Sequence, residues 1–354
     1  MTEAITYRIG FDVAKGVFQA HAVKMNEPGE PVALRKRLKR SQVEGFFAGL
    51  PRSLIGMEAC SSAHYWARLA RKYGHEVRLM PPAYVKAYVK RNKTDANDAE
   101  AICEAVGRPT MRFVPIKEEA DQAMVALHRM RASFVEKRTA AGNQLRGELS
   151  EFGIVAPTGK RGLSDLLTLV ETEAERFMGL PAALRLVLAE LARQWRACDE
   201  VVRSMDRAIA ASVKRSARAM RLAGVPGIGP VGASAIDAML PNPGVFKSGR
   251  HFAAFLGLTP RENSSGKTVR RGGITKKGDT YLRRILVQGA TSYLAKVRCG
   301  QIKGASAWVL RMAAHPKRKL AAVALANKMA RIAWAMLAHD EDYRAPAAAL
   351  QAAA

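Results

Sequence analysis

Eight side chains, Leu184, Leu188, Leu191, Trp195, Cys198, Val202, Met205 and Ile209, step along the chain by alternating four and three. That spacing is the a/d stripe of a coiled coil, and it commits the stretch to one long helix whose apolar seam must be covered. Two coverings meet the requirement: packing within a helical bundle, or self-association through a helical hairpin. Upstream, "DQAMVALHRMRASFVEKRTAAGNQLRGELSEFG" runs without a breaker to Gly153. The middle of the chain, residues 116–217, is therefore predicted to be a helical coiled-coil region that holds an oligomer together or fills a bundle.

The first hundred residues follow another rhythm. "TYRIGFDVAK" is a short apolar run with one acid, "VFQAHAVKMN" follows closely enough to be its hairpin partner, and "PVALRKRLKR" alternates apolar and basic residues as a third strand does. "SQVEGFFAGL" reads as a helix capped by Ser41, "SLIGMEA" as a buried strand, "SAHYWARLARKYG" as an amphipathic helix ended at Gly74, and "HEVRLMP" as a strand stopped by Pro81. Three antiparallel strands followed by strand, helix and strand predict a mixed sheet flanked by helices over residues 1–115. From about Arg218 the composition changes again. "LAGVPGIGPVGASAI" is rich in Gly and Pro, "HFAAFLGLTP" resumes helix, Arg261 to Arg284 is polar and basic, and "KRKLAAVALANKMARIAWAMLAH" is one amphipathic helix. A mainly α C-terminal domain over 218–344 and a frayed tail over 345–354 are expected.

Charge narrows the function. Lys and Arg number 57 against 31 Asp and Glu, a formal net charge of +26. Such an excess points to a polyanionic partner, since neutralising phosphates releases condensed counterions and drives association. No run of about 18 uncharged apolar residues is present to span a membrane, and no basic-then-apolar leader opens the chain. Cys60, Cys103, Cys198 and Cys299 are scattered without the paired spacing of a zinc site, which fits reduced thiols. A nucleic-acid partner and a cytoplasmic, nucleoid-associated location are the expectation.

Four acids stand out against this background. Asp12 lies inside the apolar "IGFDVA" and Glu58 ends "LIGMEA", places where a carboxylate is costly unless paired or metal-bound. Asp95 and Asp98, in "RNKTDANDAE", are three apart and share one helix face. Four carboxylates converging from two strands and a helix suit two Mg2+ ions roughly 4 Å apart, the arrangement that stabilises attacking and leaving oxygens in phosphoryl transfer, with Mn2+ as a substitute. Each acid alone has a plainer reading: an Asp-x-x-Asp pair is usually a solvated helix face, and an acid in a strand is often a strand end with a backbone partner. Lys90, Arg91 and Lys93, just before the pair, are placed to attract a phosphate backbone.

Two further segments carry chemistry. "GVPGIG" between helices matches a helix-hairpin-helix, whose backbone amides around Gly227 and Gly229 bind phosphate without reading bases; many tight helix–helix turns look alike. In "TPRENSSGKTVRRGGITKKGDTYLRR", Arg261, Lys267, Arg270, Arg271, Lys276, Lys277, Arg283 and Arg284 meet only Glu262 and Asp279. The default for such a run is an electrostatic contact. Ser264 and Ser265 nevertheless precede a glycine amid these cations, and a serine there can attack a phosphodiester if a base or metal takes its proton.

Together "GFDVAK", "IGMEACSSAHYWARLARKYGHEVRLMPPAYVKAYVKRNKTDANDAEAICEA" and "LTPRENSSGKTVRRGGITKKGDTYLRRIL" resemble the insertion-sequence transposases with an Asp-Glu-Asp-Asp tetrad, the recombinases guided by a bridge (or seeker) RNA. The resemblance covers nearly the whole chain and is nearer the branch with sub-terminal inverted repeats. It implies an RNase H-like (RuvC-like) N-terminal domain that binds magnesium through Asp12, Glu58, Asp95 and Asp98. It also implies a C-terminal transposase domain whose Ser265, beside Gly266, joins covalently to DNA. In such a composite site Ser265 of one subunit meets the tetrad of another, within a dimer or tetramer. Donor and target DNA are selected by base pairing to a structured non-coding RNA. Ser264 adjoins Ser265, so a shift of one residue exchanges their roles.

The leading expectation is thus an RNA-guided, Mg2+-dependent DNA recombinase acting through a phosphoserine. A metal-dependent, structure-selective nuclease working by the tetrad alone is the second reading. A non-enzymatic RNA-binding protein with structural acids is the third.

Overall fold

A computed structural model describes residues 4–25, 27–90, 94–265, 268–302 and 304–345. The chain divides into two units, Met1–Gln122 with Leu240–Val245, and Ala123–Met239 with Phe246–Ala354. The helical region expected over 116–217 and the region expected over 218–344 mostly share the second unit.

In the first unit, β1 (Tyr7–Asp12), β2 (Val17–Lys24) and β3 (Val32–Lys39) form an antiparallel meander, and β4 (Ser53–Glu58) and β5 (Glu76–Met80) run parallel to β1. The strand order is β3-β2-β1-β4-β5. Because side chains alternate along a strand, β1 sends Ile9 and Phe11 to one face and Gly10 and Asp12 to the other. Ile9, Phe11, Phe18, Ile55 and Met57 pack with Phe47 of α1 (Val43–Ala48) and Trp66 of α2 (Ala63–Lys72). The opposite layer joins Leu54, Met80, Ile102 and Val106, with α3 (Pro82–Val85) and α4 (Asp95–Val106). Edge strand β3 is largely exposed and rich in Lys and Arg, which discourages edge-to-edge pairing.

One cap departs from expectation. Ser41 does not cap α1: Arg40–Gln42 form a 3-10 turn, α1 begins at Val43, and the Gln42 side chain accepts the Lys39 amide at 2.8 Å. The longer glutamine reaches back over the added turn where a serine hydroxyl falls short.

The second unit is helical: α5 (Glu119–Glu151), α6 (Lys160–Glu171), α7 (Glu175–Met178), α8 (Ala182–Arg215), α9 (Ala217–Ala223), α10 (Pro230–Met239), α11 (Gly249–Phe255), α12 (Thr280–Arg298), α13 (Ala307–Ala314) and α14 (Arg318–His339), with the small hairpin β6 (Pro260–Glu262) and β7 (Arg271–Ile274). Helices α5 and α8 lie antiparallel. Arg131 binds Asp206 at 2.5 Å and Arg138 binds Asp199 at 2.6 Å, so seven residues forward on one helix match seven back on the other. Four further on, Gly142 lies against the Trp195 indole. The apolar seam of α8 is covered inside the chain over its first half, where Leu184, Leu188, Leu191 and Trp195 join Leu145, Leu149 and Leu166. By length and composition α14 is apolar enough to cross a membrane. In this unit it is a core helix, with Leu325, Ala326, Met329 and Ala333 buried and packing against α11 and α12.

Candidate active site

The acids of the first unit occupy one face of its sheet. Asp12 and Glu58 end the adjacent parallel strands β1 and β4, two residues beyond Gly10 and Gly56, which pair in register. Both glycines face α4: a Cβ at Gly10 would lie 1.9 Å from the Ala99 carbonyl oxygen, and one at Gly56 would lie 2.7 Å from Val106. By alternation Asp12 and Glu58 point to that same face. Two glycines in neighbouring strands thus let α4 approach the backbone.

Helix α4 passes back along β1. Cys103 Sγ donates to the Arg8 carbonyl at 3.2 Å, and the preceding turn, at Ala99, covers Gly10. The next turn holds Asp98 and Asp95 and continues toward the Asp12 end. Asp95, Asp98, Ile102 and Val106 form one stripe, of which Ile102 and Val106 are buried with Leu54 and Met80. Thr94 caps the helix, its Oγ1 accepting the Asn97 amide at 3.3 Å, so both aspartates sit where the helix dipole favours negative charge. Cys60 follows Glu58 by two residues, and burial first, then the charges of Glu58 and Asp12, push its thiol above its ordinary range.

Shared direction is not yet a closed cage. Among the described residues no three His, Cys, Asp or Glu side chains stand close enough to hold a metal ion. The donor set itself, all hard carboxylate oxygens at the carboxyl ends of parallel strands, fits a divalent cation of the magnesium type. Lys90 is engaged locally, its Nζ 2.6 Å from Glu100, and that contact holds the Glu100 carboxyl below the usual range. Arg91 and Lys93 lie outside the described residues.

The serine pair belongs to the second unit, at the tip of the β6–β7 hairpin, where Ser265 and Thr268 exchange backbone hydrogen bonds at 3.2 and 3.0 Å. The two hydroxyls differ. Ser264 donates to Glu262 at 3.0 Å and accepts the Arg270 amide at 3.3 Å. The exposed Ser265 hydroxyl has no hydrogen-bond partner among the described residues. Arg261, Arg270, Arg271, Lys276 and Lys277 are exposed along the arm, while Gly266 and Lys267 lie outside the described residues. Two of the expected nucleic-acid contacts have other partners. Arg283 donates to the Leu256 and Lys277 carbonyls at 2.9 and 3.3 Å, and Arg284 pairs with Glu136 at 2.9 Å. The base of the arm is fixed by Gly257 and Gly278, at φ +69° and +83°, where a Cβ would lie 2.2 Å from the Lys277 carbonyl oxygen or 1.7 Å from that of Phe255.

Residues 224–229 join α9 to α10, and within this turn Gly227 has φ +92°. A polar network that no sequence pattern marks joins three helices of the second unit. Buried His128 meets Tyr281 Oη at 3.0 Å and Ser234 Oγ at 3.1 Å, linking α5, α12 and α10. Burial, then Arg131, lowers His128 to about 4, so it is neutral at neutral pH.

Known proteins place this chain. A DEDD-type IS110 model described as Transposase matches residues 9–154, and one described as Transposase IS116/IS110/IS902 family matches 219–304. A Pseudomonas aeruginosa protein described as a probable family 20 transposase is 46% identical over 340 residues, 95% of this chain and 98% of its own. The chain belongs to the IS110/IS116 family of insertion-sequence transposases. The transposase for element IS1328 of Yersinia enterocolitica is 38% identical over 92% of this chain and 95% of its own, and that for IS1111A of Coxiella burnetii 36% over 95% and 91%. This IS110-family member is accordingly an enzyme of DNA transposition, and its domains of the DEDD and IS116/IS110/IS902 types carry the acids and the serine respectively.

Proposed function

We propose that this transposase is an RNA-guided recombinase of its own insertion sequence that exchanges strands through Ser265 bonded to DNA phosphorus. The observation that carries the reading is the common face of Asp12, Glu58 and the Asp95/Asp98 turn at the carboxyl ends of parallel strands. The sheet order, with an antiparallel meander beside two parallel strands, supports an RNase H-like, RuvC-like domain. Asp12, Glu58, Asp95 and Asp98 would hold Mg2+, which supplies charge neutralisation at the scissile phosphate when bound.

Ser265 Oγ attacks phosphorus as its proton passes to a carboxylate of the tetrad, the phosphorus–oxygen bond to the departing strand breaks, and the departing oxygen takes up a proton to leave as a strand-end hydroxyl. Reversal by a new strand end releases the serine and seals the exchange. Its free hydroxyl supports Ser265 over Ser264 as the nucleophile. In a dimer or tetramer the serine of one subunit serves the tetrad of another. The exposed cations hold guide RNA and DNA in the cytoplasm at the nucleoid, and the turn around Gly227 and Gly229 contacts phosphate. A recombination assay with the RNA encoded beside the gene tests this. Wild type yields a covalent protein–DNA species that denaturation does not dissolve; survival of that species in Ser265→Ala would refute the nucleophile.

A further inference from the structure

A cavity of about 710 Å³ lies in the second unit behind the turn joining α9 to α10. Its wall is partly bare backbone: a Cβ at Gly289 of α12 would lie 2.0 Å from the Gly227 carbonyl oxygen, so turn and helix touch without side chains between them. Val225, Ile228 and Met329 give it a buried apolar lining. Among the described residues, its charged side chains are Lys296 and Lys328, neither has a carboxylate partner, and no carboxylate lines it. Lys328 is held over the Trp308 ring at 4.4 Å. Tyr293 and Tyr343 also line it, with hydroxyls that have no hydrogen-bond partner among the described residues. Burial pushes both phenols up.

A matching ligand is flat, partly apolar and anionic. A nucleotide has those properties: base stacking on an aromatic ring is sequence-tolerant, and ammonium groups bind the phosphate. The volume lies in the range of small-molecule sites, admitting one nucleotide and excluding a duplex. We propose that this cavity receives one unpaired nucleotide of a bound strand. The base lies against Tyr293, Tyr343 and the apolar wall, and the phosphate lies on Lys296 and Lys328. The inference rests on the nucleic-acid reading of the chain and extends it from backbone contact to capture of a single base.

The test uses the full chain with single-stranded oligonucleotides, one set DNA and one RNA, each carrying one 5-iodouracil and a fluorescent end label. Anisotropy reads overall binding, and photo-crosslinked peptides mapped by mass spectrometry read the cavity. Crosslinks at Tyr293 or Tyr343 are expected, lost in Ser292→Trp, which places an indole in the cavity from an exposed helix position. Lys328→Gln should weaken binding on the order of tenfold, the scale of one charge-assisted contact. The set that crosslinks identifies DNA or RNA as the source. Strands that bind but crosslink only elsewhere would overturn the cavity and leave the nucleic-acid reading standing, whereas no binding by either set would overturn both.

Discussion

The two regions proposed to carry the chemistry are built in opposite ways. Asp12 and Glu58 stand on strands, and Asp95 and Asp98 on α4, within a sheet unit that has packed helices on both faces and in which Gly10 and Gly56 let α4 lie against the backbone. The serine stands on a two-stranded arm exposed from Pro260 to Gly273 over its described residues. A hairpin of that size has little stability of its own, and here only its base is fixed, by Gly257 and Gly278. A carboxylate set meant for a metal benefits from a stiff scaffold, whereas a nucleophile that must reach a strand benefits from a free tip on an anchored stem.

The contrast breaks most visibly at the hydroxyls. Ser265→Ala should lower covalent adduct and recombination by at least about a thousandfold. Ser264→Ala, which loses only hairpin hydrogen bonds, should stay within about tenfold; reversed outcomes in a quantitative adduct gel would exchange the two roles. Asp12→Asn and Asp98→Asn should each reduce recombination by roughly a thousandfold in Mg2+ with melting unchanged. A drop in melting temperature matching the loss of activity would make the acids structural.

Glycine substitutions sharpen the comparison by stability. Gly10→Ala forces a methyl into the Ala99 carbonyl and should destabilise the first unit by about 3 kcal/mol or more. Gly273→Ala on the arm, whose Cβ meets nothing within 4 Å, should stay within about 0.5 kcal/mol by urea titration. Neutral His128 makes the second unit sensitive to acid. Its pKa is lowered in the folded state, so the unfolded chain binds the proton first. Stability should fall as pH drops from about 6.5 toward about 4, by roughly 3 kcal/mol, and flatten below. His128→Asn should remove most of that slope, and an unchanged slope would place the titration elsewhere. Least in size, Lys276→Ala with Lys277→Ala should reduce the salt slope of nucleic-acid binding by about 2 and leave melting alone.

Much of the scaffold was legible because its signals are local. Strand alternation from Tyr7 to Met80, Gly74 at positive φ after α2, and the unbroken α5 all follow from residues within a few positions of one another. The strand-end acids were legible because a carboxylate in an apolar run is conspicuous. What stayed hidden depends on distant partners. Nothing near Lys90 announces Glu100, nothing near Arg283 announces the Leu256 carbonyl, and His128 meets Ser234 and Tyr281 only after three helices assemble. The basic segment carries no strand signal because its strands are short, polar and without a buried face.

From Pro260 to Gly273 every described residue of the arm is exposed, so folding places little demand on that part of its sequence. Mutation can drift freely there except where a substrate objects. Grafting the arm of another family member onto this stem should therefore transplant strand-joining preference while the recipient's solubility and expression stay its own.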